Sequence, residues 1–330
     1  MNFTIRNFRM DDIPELVPLR VAVEETDHLG LATSAEDIRR ICTRPTLYPE
    51  QNSFVAVAPG GEIVGNVWLT VRQGVNEVMF NLYGYVHPAW RGRGVGRQLM
   101  DAVLARARER IGEANGQHIW LQSGGVHDAP NDGGRIALFE KNGFELVRWG
   151  VDMRRELPGL GKIARVIPIV QEPAGIQLRK WRAGADDQEV GWMLNDAFQD
   201  SWDYTEIVMD EWLHYVRGGW MDVEHSVLAW DVANHRMAGA CVNQCNERSF
   251  QRRGRRELYV DDLAVRREYR KRGVATALLA WTLNRADHMG MQSVALDADA
   301  ENPTGAVRLY TRLGFEVIGK TRIYRKELIA

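Results

Sequence analysis

The sequence predicts an α/β protein made of two similar domains, and three observations carry that prediction. At 330 residues the chain is long for one compact core and comfortable for two. Three blocks of sequence occur twice, in the same order. Each half alternates short strand-like runs with longer helix-like ones, the pattern of a sheet covered by helices.

The repeated blocks set the order of elements. Ile5-Arg6-Asn7-Phe8-Arg9, followed by Asp11 and Asp12, returns as Leu178-Arg179-Lys180-Trp181-Arg182, followed by Asp186 and Asp187, and each opens a half. Phe54 to Ala58 and Ile63 to Val71 are apolar runs divided by Pro59-Gly60-Gly61-Glu62, a hairpin signal. Val227 to Val232 and Met237 to Val242 repeat it around Ala233-Asn234-His235. Tyr85 to Gly96 then aligns with Ala264 to Ala275 without a gap, a strand running into a glycine loop. Val95 to Ile111 and Val274 to Met289 lack internal breakers and carry apolar residues at helical spacing. Ile119 to Gln122 and Val294 to Asp297 read as short buried strands, and Ile136 to Phe144 answers Val307 to Phe315 as a closing helix. Prolines and glycines between Pro158 and Gly175 mark a joint. The expected division is therefore a first domain over 1–157, a linker over 158–174 and a second domain over 175–330. The first half is longer after its glycine loop, and the extra segment, Ser123 to Gly134, is rich in Gly, Asp and Asn, so it predicts an exposed loop.

Composition narrows the function. With 45% hydrophobic residues and a formal charge of -2, nucleic acid is not an expected partner. No apolar run approaches the roughly 20 residues needed to cross a bilayer, and Met1 to Arg20 is broken by charges, so no membrane association is expected and the cytoplasm is the expected compartment. Cys42, Cys241 and Cys245 are too few to staple a secreted scaffold, and no further soft ligands accompany the last two, so no metal is expected.

A glycine loop between a strand and a helix is an anion site: the first helical N–H groups lack intrahelical partners, and the helix dipole favours negative charge there. Arg91-Gly92-Arg93-Gly94-Val95-Gly96 and Arg270-Lys271-Arg272-Gly273-Val274-Ala275 both have this form. Neither carries the Gly-Lys-Ser/Thr ending of a nucleotide-triphosphate loop or the G-x-G-x-x-G of a dinucleotide fold, so ATP and NAD are disfavoured. Both fit Gln/Arg-x-x-Gly-x-Gly/Ala, which resembles the cofactor loop of the GNAT superfamily of N-acetyltransferases, in its tandem two-domain form. The second half extends the likeness with Asn302 and with Leu309-Tyr310 before Gly314-Phe315. The resemblance implies two GNAT-like domains, each a twisted, mixed but mostly antiparallel sheet flanked by helices. It also implies acetyl-CoA (coenzyme A) as cofactor, held by Leu263, Val265, Arg270 to Thr276 and Asn302, with Val86 and Arg91 to Gly96 as the first-half equivalents.

The implied chemistry needs three groups: a base to take a proton from an ammonium of pKa about 10, donors for a developing oxyanion, and an acid for a thiolate of pKa about 8.5. Tyr310 is the expected acid, and Phe139 stands in its place in the first half, where it cannot donate. Alternation along a strand puts Glu257, Tyr259, Asp261, Leu263 and Val265 on one face, so Glu257 and Asp261 are the candidate bases. Counting back from the first loop gives Val78, Phe80 and Leu82, all apolar. Asp261 and Asp262 are equally readable as strand-end acids paired with arginine, and Asn302 as a turn residue. The expected activity is acetyl transfer by direct attack to a primary amine of a small molecule, in the second domain, by a monomer or homodimer. The alternatives are a non-catalytic acetyl-CoA-binding or scaffold module and a protein N-acetyltransferase.

Overall fold

A computed structural model describes residues 2–29, 31, 33–73, 77–114, 118–127, 132–158, 167–202, 204–245, 247, 250 and 254–328. In chain order the first half gives β1 (Thr4–Asn7), α1 (Ile13–Asp27), α2 (Ala35–Cys42), α3 (Pro49–Asn52), β2 (Ser53–Val57), β3 (Ile63–Gln73), β4 (Glu77–Val86), α4 (Val95–Glu109), β5 (His118–Ser123), β6 (Val126–His127), α5 (Gly133–Lys141) and β7 (Glu145–Glu156). The second half gives β8 (Ile176–Lys180), α6 (Asp187–Phe198), α7 (Met209–Arg217), β9 (Val227–Asp231), β10 (Arg236–Gln244), β11 (Glu257–Val265), α8 (Val274–His288), β12 (Ser293–Asp299), α9 (Ala306–Arg312) and β13 (Glu316–Glu327). Every hairpin, helix and buried strand expected from the repeat is present, and no described helix is long and apolar enough to cross a membrane.

The chain forms two compact units, Met1–Arg148 with Thr321–Ala330, and Trp149–Lys320. In the first unit β1 to β4 run antiparallel, β4 and β5 are parallel, and the strand beyond β5 is the end of β13, with Arg325 opposite Gln122. In the second unit β8 to β11 run antiparallel, β11 and β12 are parallel, and the strand beyond β12 is residues 149–156 of β7, with Met153 opposite Leu296. Each sheet thus takes its last strand from the other half of the sequence. The expected division at 1–157 and 175–330 follows the repeat but not the folded units. The physical reason is that β7 and β13 are copies of one strand, each closing a sheet of the same design, so the repeat gives their order along the chain and not their partners. Of the expected linker, residues 159–166 lie outside the described residues. Ile167 packs on the second unit's core, and Pro168 accepts a hydrogen bond from Asn284 (2.9 Å). Part of the segment expected to be an exposed loop is also strand: Val126 and His127 pair with Arg322 and Thr321, and Val126 is buried.

Each sheet has two buried faces. In the second unit, Leu258, Val260, Val294 and Leu296 pack with Leu278 and Leu279 of α8 and with Tyr310 and Phe315, while Val242, Ala240 and Ala264 pack with Met193 and Leu194 of α6 and Trp212 of α7. The first unit repeats this, with Phe80, Leu82, Leu121 and Phe139 around α4 on one face, and Trp68 and Ile63 against α1 and α2 on the other. The repeated opening block also has a physical role. Arg6 grips Asp12 with both terminal nitrogens (2.7 Å each), and Arg179 grips Asp186 likewise (2.7 and 3.1 Å), fastening the first strand to the start of the first helix.

Candidate active site

In the second unit β11 passes through a short helical turn, Arg267–Tyr269, into α8, whose N-cap is Gly273 at φ +86°. Lys271 also has positive φ, +60°, where the first loop has Gly92 at +71°. A side chain in that region costs about 1 kcal/mol, so the loop holds Lys271 against its preference. The first helical bond is from Ala277 N–H to Gly273 C=O (3.0 Å), which leaves the N–H groups of Val274, Ala275 and Thr276 without helical acceptors. The first unit is built alike, from Gly94 at φ +85° to a first bond at Gln98.

The loop's first arginine is not part of its rim. Arg270 spends its guanidinium on the carbonyls of Val265 (3.1 Å) and Ala197 (2.7 Å) and on the Asp200 carboxylate (2.6 Å). Arg91 does the same with Val86 C=O (3.2 Å) and Asp27 (2.9 and 2.5 Å). Both tie the loop to the end of the first helix, so the expected cofactor contacts of Arg270 and Arg91 become structural anchors. Arg93 and Arg272 lie over the rings of Trp90 (5.6 Å) and Tyr269 (5.2 Å). Asn302 is also claimed locally: its side-chain oxygen accepts from the Thr304 N–H (2.8 Å) and hydroxyl (2.5 Å), shaping the turn before α9.

Beside the loop, β11 and β12 pair only from Glu257–Ser293 to Val260–Leu296, although both strands continue. Past that point the two strands no longer pair with each other, an opening of the kind an extended amide chain can enter. On its other side β11 carries a bulge: Val260 opposes Asn243 and Asp262 opposes Val242, so Asp261 is the extra residue. The bulge breaks the expected alternation. Leu258, Val260, Leu263 and Val265 all pack toward α8, and Glu257, Asp261 and Leu263 do not share one face. By ladder position Leu258 and Val260 answer Phe80 and Leu82, Asp262 answers Tyr83, and Asp261 has no counterpart.

The two expected bases are otherwise engaged. Glu257 is 1% exposed, paired with Arg154 (2.5 Å) and hydrogen-bonded by Ser293 (2.7 Å), and Asp261 accepts from Gln244 across the ladder (2.6 Å). Asp262, which the bulge turns toward the face of Val242 and Ala264, is different. Burial, and then the charge of Asp297 just past the last β11–β12 pair, push its carboxyl up to about 6. Tyr310 is buried on the other face, where burial, then Cys241 and Asp297, push its phenol well above the ordinary value. Asp297 acts on both groups; Asp262 lies two residues past the last β11–β12 pair, and Tyr310 packs in one cluster with Val260 and Leu296, the residues of that pair. The doublet Asp261-Asp262 was the sequence signal for this acid, but only the bulge says which of the two is turned inward. Among the described residues no group of His, Cys, Asp and Glu could hold a metal.

A glycine loop that opens a helix, a parted pair of parallel strands and an ionisable group on each face are the features expected of an acyl-transfer enzyme, carried on two copies of one fold. Residues 189–315 match the Acetyltransferase (GNAT) family and residues 49–146 an Acetyltransferase (GNAT) domain. The chain is 28% identical over 320 residues to a mycothiol acetyltransferase of Geodermatophilus obscurus, covering 92% of this chain and 93% of that one. It is 31% identical over 246 residues to one of Clavibacter sepedonicus, covering 73% and 71%. Among solved structures, a GCN5-related N-acetyltransferase from Sphaerobacter thermophilus is similar at TM-score 0.72 and 26% identity, covering 98% of this chain and 95% of that one. A tandem GNAT protein from the clavulanic acid biosynthesis pathway shares the fold at TM-score 0.67 and 18% identity, covering 99% and 98%. The chain belongs to the GNAT acetyltransferase family, with two such domains in tandem, and is an N-acetyltransferase.

Proposed function

We propose that the chain moves an acetyl group from acetyl-CoA to a primary amine of a small molecule, and that the second unit does the chemistry. One observation carries this reading: the second unit sets Asp262 and Tyr310 about the parting of β11 and β12, where the first has Tyr83 and Phe139. The residues present fit the cofactor. The open N–H groups of Val274, Ala275 and Thr276, with Lys271 and Arg272 beside them, suit a diphosphate, and the parting of β11 and β12 suits an extended pantetheine chain. Acetyl-CoA, when bound, supplies a thioester carbonyl open to attack and a thiolate leaving group.

Asp262 accepts the proton that the acceptor ammonium must lose. Its raised pKa keeps it ionised at neutral pH yet basic enough to hold that proton. Tyr310 keeps its own proton across the working range and donates a hydrogen bond to the departing sulfur. The similarity to mycothiol acetyltransferases over most of the chain supports a small-molecule acceptor.

The deciding experiment is the pH profile of Asp262→Asn, with coenzyme A thiol release as readout. In the parent, kcat/KM is expected to rise with pH through about 6 and then level. The variant is expected to lose that limb and about 10²-fold in rate. An unchanged limb would remove Asp262 from the chemistry. Stability should move the opposite way. A carboxyl whose folded pKa is raised stabilises the fold below its ordinary value and loses that contribution as pH climbs to about 6, so at pH 7 the Asn variant is expected to be more stable, on the order of 2 kcal/mol.

Lys271→Gly should likewise split two effects. Releasing the left-handed side chain is expected to stabilise the fold by about 0.5–1 kcal/mol in thermal melts. Losing its charge is expected to raise KM for acetyl-CoA several-fold with little change in kcat.

A further inference from the structure

The first unit holds a group the fold does not explain. Arg20, on α1, is only 5% exposed, yet among the described residues it donates no hydrogen bond and forms no ion pair, and its Nε is sealed from solvent without a partner. Its guanidinium lies over the rings of Tyr85 (4.7 Å) and Trp68 (6.0 Å). Asn66, opposite Tyr85 on the ladder and 1% exposed, has both amide atoms sealed and unpartnered, and so is the indole N–H of Trp68, 3% exposed. Cys42 also faces the guanidinium, and burial holds its thiol up at about 12, so it supplies no negative charge at neutral pH. A buried cation without an anion, beside three unmet polar atoms, is a costly arrangement that folded proteins rarely keep.

The internal duplication shows that the fold does not require it. Matching the ladders through Gly65–Val86 and Gly239–Val265 sets Asn66, Trp68 and Tyr85 against Ala240, Val242 and Ala264. Matching the helices through Asp12 and Asp186 sets Arg20 at Met193–Leu194. All of these second-unit residues are buried members of one apolar cluster. The positions matched to Arg20, Asn66, Trp68 and Tyr85 are therefore apolar in the second unit, and the first makes the same positions rich in donors.

We propose that Arg20, Asn66 and Trp68 form a binding site for a carboxylate group in the first unit, separate from the acetyl-transfer site. The planar guanidinium fork matches a carboxylate, the indole and amide N–H groups supply further donors, and the Tyr85 and Trp68 rings wall the cation. This reading does not depend on the proposed acetyl transfer.

The test is a titration of the full-length protein with sodium formate and sodium acetate at constant ionic strength, with chloride as the balancing anion and thermal unfolding as readout. The parent is expected to show a saturable rise in Tm, Arg20→Gln none, and Trp68→Phe a half-saturation point about threefold higher, the loss of one hydrogen-bond donor. Carboxylate salts also stabilise proteins by exclusion from their surface, a rise that does not saturate and is the same in every variant. An equal rise in the parent and Arg20→Gln would therefore overturn the proposal. So would an Arg20-dependent rise with chloride as large as that with acetate, or buried water alone on Arg20 in crystals grown from formate. If Arg20→Gln does not fold, the Trp68→Phe titration decides, and an unshifted half-saturation point overturns the assignment.

Discussion

Tyr310→Phe is expected to lower kcat for acetyl transfer by about 10²- to 10⁴-fold while leaving KM for acetyl-CoA within about twofold. The substitution keeps the ring and removes the one oxygen that can donate to the departing sulfur. Among the described residues that hydroxyl makes no hydrogen bond, so the ring's packing on Phe315 (6.0 Å between centroids) should survive, and stability should change by less than about 1 kcal/mol. Thiol release under saturating acetyl-CoA measures the first quantity and thermal melts the second. A variant as fast as the parent would end the acid assignment. The first unit already contains this substitution. Phe139 is stacked on Tyr324 (5.7 Å, 10° between planes) and meets Phe144 edge-on (5.1 Å), so its site is packed as core. Phe139→Tyr is accordingly expected to add no activity, because Tyr83 stands there in place of Asp262.

Much of this was legible in the chain. The repeat gave the element order, because strand and helix periods and the glycine loops are local properties of sequence. The place of Tyr310 in the closing helix was legible too. What was hidden depends on contacts between distant residues. Nothing in Asp261-Asp262 says that β11 bulges there, because a bulge is a relation between two strands, and a single extra residue turns Asp262 inward and shifts the comparison with the first half by one. Arg91 and Arg270 fit a cofactor motif, and only their partners, Asp27 and Asp200, reveal them as braces. The exchange of β7 and β13 was hidden for the same reason.

Glu257 offers the sharpest separation of structure from chemistry. Its carboxylate is buried between Arg154, donated by the neighbouring segment of β7, and the Ser293 hydroxyl, with Arg255 Nε at 3.8 Å. Glu257→Ala would strand these donors where water reaches poorly. Breaking a buried pair from one side costs about 3–5 kcal/mol, and since the Arg154 side chain is 25% exposed the expected loss lies near the lower end, about 3 kcal/mol. Urea unfolding measures it directly. Glu257→Gln keeps the shape and an acceptor for Ser293, so it should lose less stability than the alanine variant while retaining the parent's kcat and its acid limb near pH 6. The opposite pattern, a stable Gln variant without activity, would make Glu257 the base. The ion pair then carries a consequence for the fold as well. Glu257 and Arg154 sit on strands from different halves of the sequence, so the pair helps select β7 as the closing strand of this sheet, and its loss should loosen β7 first. Amide exchange across residues 149–156 is expected to quicken in Glu257→Ala before any change appears in α8.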